Sequence, residues 1–382
     1  MRKLIYFDNS ATTKPLPEVS RLIYDQLNSE DSFGNPGSLH GLGLKSAKLF
    51  QTALQDTSRL LACDPKELVF TSCGTESVNT AIAGYLKANP RAGKHVISTK
   101  TEHKAAISLF ENLAKEGYEI EYLPVGDDGC VELSALEGSI RCDTAIISLT
   151  HVNNETGAMT TLQKVSQIRD KLNRNTRIHI DCTQSLGKLP ISLQNHYMDL
   201  ASFSGHKIHA VKGVGLLYIR KGVRIQPMIV GGGQQGGLRS GTESPYLATA
   251  FALALQYAQD QMQESLIHVA QLKQELIEKL SDLSVRVLSP KSALPYIVNV
   301  SFPSFQSETM LHALEEYGIY VSTVSACSSK QKKVSYVLLS MGIERTIASN
   351  AIRISFSRFN TMEEVYAFSD AVHEIYKKYS LN

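Results

Sequence analysis

The residue with the most chemical promise is the lysine that closes Ser202-Phe203-Ser204-Gly205-His206-Lys207. An amine held beside an apolar sheet loses proton affinity and becomes a nucleophile toward a carbonyl carbon. Read alone, the segment is a weak signal, and a solvated loop lysine is the better reading of Lys207. Upstream, Ile178-His179-Ile180-Asp181-Cys182-Thr183-Gln184-Ser185 puts an acid at the end of a strand. A buried carboxylate there can pair with a protonated ring nitrogen and keep the ring electron-poor. It can also simply cap the following turn. Thr71-Ser72-Cys73-Gly74-Thr75-Glu76-Ser77 joins a strand to a helix start, where free backbone N–H groups suit a phosphate. An ordinary N-cap reads the same way. Thr101-Glu102-His103-Lys104 follows another strand and places a histidine where it can stack on a ring or move protons.

These segments need a scaffold that brings strand ends together. Glu67–Thr71, His95–Ser98, Ile120–Leu123, Thr144–Thr150, Arg177–Asp181, Leu200–Ser204 and Gly215–Arg220 are short apolar runs. Helical patterns over Glu76–Lys87, Ala105–Glu116 and Leu162–Asn173 separate several of them. Such alternation predicts an α/β fold with a mostly parallel sheet of seven-stranded type. From Tyr246 to Leu280 the pattern is helical with few breaks. Beyond it, Tyr296–Phe302, Tyr320–Ser322 and Ala351–Phe356 read as strands. Glu308–Tyr317, Ser335–Met341 and Glu363–Tyr379 read as helices. That is a smaller α+β domain. The expected division is a large domain over 14–258 and a small one from 1–13 and 259–382.

Composition narrows the class. The chain has 382 residues, 43% hydrophobic and 20% charged, with a formal net charge of +2. It is long enough for two cored domains and is not disordered. Near-neutral charge gives no support to direct nucleic-acid binding. No stretch is apolar enough for a membrane span, and the start is too short for a signal-peptide core. Six cysteines at irregular spacing contain no C-x-x-C pair. The expectation is a reduced, cytoplasmic protein without a metal site. His206 and His209 have helical ligand spacing, but a phosphate role for His206 explains more. Gly41-Leu42-Gly43 with Lys45-Ser46 lacks the spacing of a nucleotide loop. Five cysteines fall in strands, helices or short turns and read as small core hydrophobes. Cys327 instead sits in Ser325-Ala326-Cys327-Ser328-Ser329-Lys330-Gln331-Lys332-Lys333, a polar run whose lysines favour the thiolate.

Taken in chain order, these segments resemble the cysteine desulfurases, of the class-V aminotransferase branch of fold type I. Phe7-Asp8-Asn9-Ser10-Ala11-Thr12-Thr13, Phe33-Gly34-Asn35-Pro36 and Val152-Asn153-Asn154-Glu155-Thr156-Gly157 carry the resemblance too. So do Arg239-Ser240-Gly241-Thr242 and Ala351-Ile352-Arg353-Ile354-Ser355-Phe356. It spans residues 7 to 356.

The resemblance implies a fold-type-I transferase that uses pyridoxal 5'-phosphate, with Lys207 as the lysine that holds it. Asp181 would meet the pyridine nitrogen, Gln184 the ring hydroxyl, and His103 the ring face. Gly74, Thr75, Ser204 and His206 would hold the phosphate, and Thr242 that of a second subunit, which implies a homodimer. Asn154 and Arg353 would bind the substrate carboxylate, assisted by Asn35. An arginine fork suits a carboxylate. The implied substrate is L-cysteine, with Cys327 taking its sulfur as a persulfide on a loop that must move. The sulfur would pass to an acceptor protein, an iron–sulfur scaffold or a tRNA sulfurtransferase. Selenocysteine lyase and class-V aminotransferase are the enzymatic rivals, and neither needs the cysteine. A degenerate sulfur-relay scaffold is the non-enzymatic one, and intact Lys207, Asp181 and His103 argue against it. The family often has glycine before Ser-Ala-Cys; here Val324 stands there. The basic Lys330–Lys333 run suits an acidic acceptor.

Overall fold

Strands without polar alternation need cover on both faces, and a computed structural model of the chain supplies it. It describes residues 4–195, 197–323 and 334–379. The N-terminal strand β1 (Ile5–Tyr6) precedes the main sheet. That sheet holds β2 (Leu68–Thr71), β3 (His95–Thr99), β4 (Glu119–Leu123), β5 (Thr144–Thr150), β6 (Arg177–Asp181), β7 (Leu200–Ser204) and β8 (Gly215–Ile219). Its order is β2-β8-β7-β6-β5-β3-β4. The pairs β3–β4, β3–β5, β5–β6 and β6–β7 are parallel, and β8 runs antiparallel to both its neighbours. The sheet is therefore the expected α/β arrangement with one reversed strand. Alternate residues feed two cores: Leu68 and Phe70 join one, Val69 the other.

A third core takes Ile5 and Phe7 from the N-terminus and otherwise draws on 269–375 plus Val152. Its elements include β9 (Arg286–Val287), β10 (Ile297–Ser301), β11 (Ile319–Tyr320), β12 (Ser322–Thr323) and β13 (Ala351–Ser355). The strands β12, β13, β10 and β9 form one antiparallel sheet, while β1 pairs with β11. Thus both chain ends build the same core.

Two segments gain detail, and one expectation, on the cysteines, needs correction. The helical stretch 246–280 is two helices, Pro245–Asp260 and Met262–Lys279, broken at Gln261. The segment near Gly41 opens a helix, Gly41–Leu61. Its glycines hid it: Gly43 packs where a Cβ would lie 2.3 Å from the Ser38 carbonyl oxygen. Not all five remaining cysteines are core residues. Cys182 is buried, Cys63, Cys73 and Cys130 are half-buried, and Cys142 is exposed in the turn before β5. Among the described residues, no helix is long and apolar enough to cross a membrane. No group of metal-ligating side chains is assembled among them either.

Candidate active site

Ligands of open α/β sheets bind beyond the carboxyl ends of the strands. Here a cavity of about 490 Å³ opens at that edge. The ends of β6 and β7 and the segments that follow β2, β3, β5, β6 and β7 supply Gly74, Thr75, His103, Asn154, Asp181, Gln184, Ser204, His206 and Lys207 to its wall. Arg353 arrives from β13 in the other sheet. Asn35 is exposed outside this wall, its Oδ1 accepting from the Gly37 N–H at 2.8 Å. Thr242 is also exposed and outside it. Cys327 and the lysines at 330, 332 and 333 lie outside the described residues.

Lys207 is set by a short turn, Gly205–Lys207, directly after β7. The N-terminal segment holds this turn: Thr13 donates to the His206 carbonyl through N–H (3.0 Å) and Oγ1 (2.9 Å). Lys207 Nζ donates to the carbonyls of Ser10 (2.5 Å) and Ala11 (2.6 Å). Burial, reinforced by Arg353 and Lys188, lowers its pKa to about 7. Much of it is therefore a free amine near neutrality.

Asp181 ends β6, and its Oδ1 accepts from the Thr183 N–H at 2.9 Å. Gln184 Nε2 donates to the Ser10 carbonyl at 3.0 Å. Gly74 and Thr75 begin the helix Gly74–Ala88, so first-turn N–H groups without intrahelical acceptors lie at the wall. Ser204 and Thr183 pack against Gly74, where a Cβ would lie 3.3 Å from Ser204 Cβ and 3.2 Å from Thr183 Oγ1. Gly215 on β8 lets this turn settle on the sheet, since a Cβ there would come within 2.6 Å of the Cys73 carbonyl carbon.

His103 caps the helix Lys104–Lys115, its Nδ1 accepting from the Ala105 N–H at 3.1 Å. That leaves Nε2 to carry the proton of the neutral ring. Burial holds its pKa below the usual 6.5 against the opposing pull of Asp181. His206 Nδ1 meets Thr12 Oγ1 at 3.1 Å, and burial lowers its pKa to about 4.

Arg353 donates from Nη2 to Asp8 Oδ1 at 2.7 Å and from Nη1 to the Asn154 carbonyl at 3.0 Å. Its Nε is buried and has no hydrogen-bond partner among the described residues. A buried orphan donor beside a cavity fits an anionic ligand group. The wall thus offers a free amine, a carboxylate, helix-end donors with hydroxyls, and an arginine. This set fits a phosphorylated pyridine aldehyde and an amino-acid carboxylate.

Sequence reasoning gave no role to Asp8, Ser10, Lys104, Thr183, Glu155 and Tyr336, which also line the cavity. All but Tyr336 lie in the motifs named above, and for Asp8 the available signal was a charge at an apolar strand end. Glu102 was passed over too. It is buried, accepts from the Thr150 N–H at 3.0 Å and Thr99 Oγ1 at 3.2 Å, and its pKa rises to about 8 through burial. Burial likewise pushes Glu155 up to about 7, where it accepts from Ser335 Oγ at 2.5 Å.

For both acids the folded pKa exceeds the unfolded one. Their stabilising contribution is complete below about pH 4.5 and is lost as pH rises through 7 to 8. The Glu102→Gln protein keeps an acceptor for the same donors without a charge. Its melting temperature at pH 9 is expected to exceed that of the wild type by at least about 2 °C, with no gain at pH 4. Scanning calorimetry across pH measures this, and equal curves would refute it.

Comparison with known proteins gives concordant relatives. A family model described as aminotransferase class-V matches residues 5–368. A cysteine desulfurase IscS of Serratia proteamaculans is 38% identical over 370 residues, 96% of this chain and 91% of the relative. A cysteine desulfurase of Trichormus azollae is 36% identical over 98% of this chain and 93% of its own length. Among solved structures, a NifS-like protein superposes with a TM-score of 0.93 at 37% identity. It covers 98% of this chain and 100% of that one.

Proposed function

The chain belongs to the aminotransferase class-V family, and from that premise we propose that it is a pyridoxal-phosphate-dependent cysteine desulfurase. It converts L-cysteine to L-alanine and transfers the sulfur to Cys327 as a persulfide. The observation that carries this reading is Lys207, a partly unprotonated amine in one cavity with Asp181 and Arg353. Relatives that bear the name cysteine desulfurase along nearly their full length support it.

Bound pyridoxal phosphate supplies an aldehyde for amines and an electron-accepting ring. Lys207 would hold that aldehyde, and its amine would take the substrate's α-proton. Asp181 would meet the ring nitrogen and favour its protonated form. Gln184 would donate to the ring oxygen. Thr75, Ser204, His206 and the N–H groups at Gly74 would bind the phosphate. Arg353, oriented by Asp8, would grip the substrate carboxylate with Asn154 beside it, while Asn35, exposed outside the cavity wall, has no contact with that place in this chain. Neutral His103 takes the thiol proton. Cys327 sulfur attacks the substrate sulfur, so the carbon–sulfur bond breaks as the sulfur–sulfur bond forms. The electron pair of the broken bond stays with the substrate carbon, which takes up a proton in place of sulfur, and alanine leaves.

The persulfide then passes by thiol exchange to an acceptor protein for iron–sulfur assembly or tRNA or cofactor thiolation. The Lys330, Lys332 and Lys333 charges favour an acidic acceptor. We assign the enzyme to the cytoplasm and to a homodimer in which Thr242 reaches the second subunit's phosphate. Exposed apolar side chains at Tyr24, Leu27, Phe33, Leu39, Met228 and Val230 support an interface.

The test incubates the holoprotein with L-cysteine from pH 5 to 9, quantifying alanine and mapping the persulfide by mass spectrometry. One alanine per sulfur transferred and a label on Cys327 are expected. Because His103 must be neutral, the acid limb of kcat should fall below pH 6.5 and change in His103→Gln. No alanine, or a label on another cysteine, refutes the assignment.

A further inference from the structure

Lys188 is the buried cation to which no mechanism above gives work. It is 9% exposed, in the turn after β6. Gly187, in the left-handed region at φ 69°, brings that turn against the helix Pro245–Asp260. A Cβ at Gly187 would lie 2.6 Å from Ala258 Cβ. Among the described residues no carboxylate pairs with Lys188. Its ammonium donates to Gln184 Oε1 at 3.3 Å and lies 5.5 Å from the Tyr296 ring centre. A cavity of about 20 Å³ touches both Lys188 and Lys207. That space suits one water and excludes an organic anion. A buried charge without a counter-ion costs stability, so its placement calls for a return elsewhere.

The hydrogen bonds show where. Lys188 Nζ donates to Gln184 Oε1, Gln184 Nε2 donates to the Ser10 carbonyl, and that carbonyl also accepts from Lys207 Nζ. We propose that Lys188 is a positioning residue that fixes the amide of Gln184 and, through this chain and its own charge, keeps Lys207 ready to capture the cofactor. A donor that must meet Oε1 leaves Nε2 as the end of Gln184 that faces Ser10 and the cavity. A flipped amide would set two donors against each other.

The charge acts in the same direction. Burial lowers the Lys207 pKa most, and the Arg353 and Lys188 charges lower it further, while Asp8 and Asp181 oppose them. His206 and His209 also feel the Lys188 charge. Both histidines have pKa values lowered to about 4, so neither titrates near neutrality. Lys188 itself is lowered to about 8, so it remains largely charged where Lys207 titrates.

The inference rests on the pyridoxal-phosphate reading, and its test separates the two. Wild-type, Lys188→Met and Lys188→Arg apoproteins are mixed with pyridoxal phosphate at pH 6 to 9. The rate of growth of the protein-linked absorbance band is followed. Wild type should show a midpoint near the Lys207 value. In Lys188→Met the midpoint should move up by about one unit, and capture below it should slow about tenfold. Lys188→Arg should restore the wild-type profile. Should the methionine protein not fold, Lys188→Gln carries the same expectation for the shift. A neutral variant with the wild-type profile overturns the role of Lys188. Failure of the wild type to capture pyridoxal phosphate overturns the parent reading instead.

Discussion

Replacing Lys207 with alanine is expected to abolish cofactor colour and lower alanine formation from L-cysteine by at least about 10³-fold. In the proposed reaction the amine has two jobs that no neighbour can take over: to hold the aldehyde and to move the α-proton. Lys188 cannot substitute, because it is buried and held by Gln184. Lys207→Arg should fail to a similar degree, since a guanidinium keeps its proton and does not condense with the aldehyde. Absorbance of the purified proteins and alanine quantification measure both effects. The fold should survive in both variants. The bonds lost run from Lys207 Nζ to main-chain carbonyls, while Thr13 still holds the turn through the His206 carbonyl. A Lys207→Ala protein that keeps the colour and a tenth of the rate would remove Lys207 from the mechanism.

Much of this site was legible because its chemistry stands at strand ends. Asp181 closes β6, and Ser204 closes β7. His103 and Gly74 each stand at a helix start soon after a strand. Short apolar runs bounded by polar residues reveal strands, and parallel pairing brings their ends to one edge. The reversed strand β8 could not be read this way, since its apolar run says nothing about direction. The helix Gly41–Leu61 was hidden because two early glycines mimic a loop.

Other partners meet only in the tertiary fold. Asp8 and Arg353 are separated by 345 residues, and Arg353 reaches Asp8 because β13 lies beside the N-terminal segment. Glu155 meets Ser335 across 180 residues. The roles of Glu102 and Lys188 depend on burial, and a charged side chain in sequence defaults to solvent. Here the local rule fails beside the candidate site, as it tends to do where chemistry is placed.

The other decisive variant is Cys327→Ser. A serine oxygen cannot accept sulfur from the substrate as a thiolate does, so alanine formation is expected to fall by about 10²-fold or more. The contrast with Lys207→Ala is the point of the experiment. Cys327→Ser should purify with full cofactor colour and bind L-cysteine, yet carry no persulfide. Three of the other cysteines are poor substitutes, whereas Cys73 lines the cavity and needs its own Cys73→Ser control. Burial pushes the Cys63 thiol up to about 12 and Cys130 to about 11, and raises Cys182 as well. Their thiolate fractions near neutrality are negligible. Cys142 is exposed and outside the cavity wall, so Cys142→Ser should behave as wild type. Sulfur release at the wild-type rate from Cys327→Ser would mean that no protein thiol takes part in the step. The same cavity would then belong to an amino-acid lyase or aminotransferase, with Lys207, Asp181 and Arg353 in unchanged roles. The two outcomes divide the family's chemistry at a single sulfur atom.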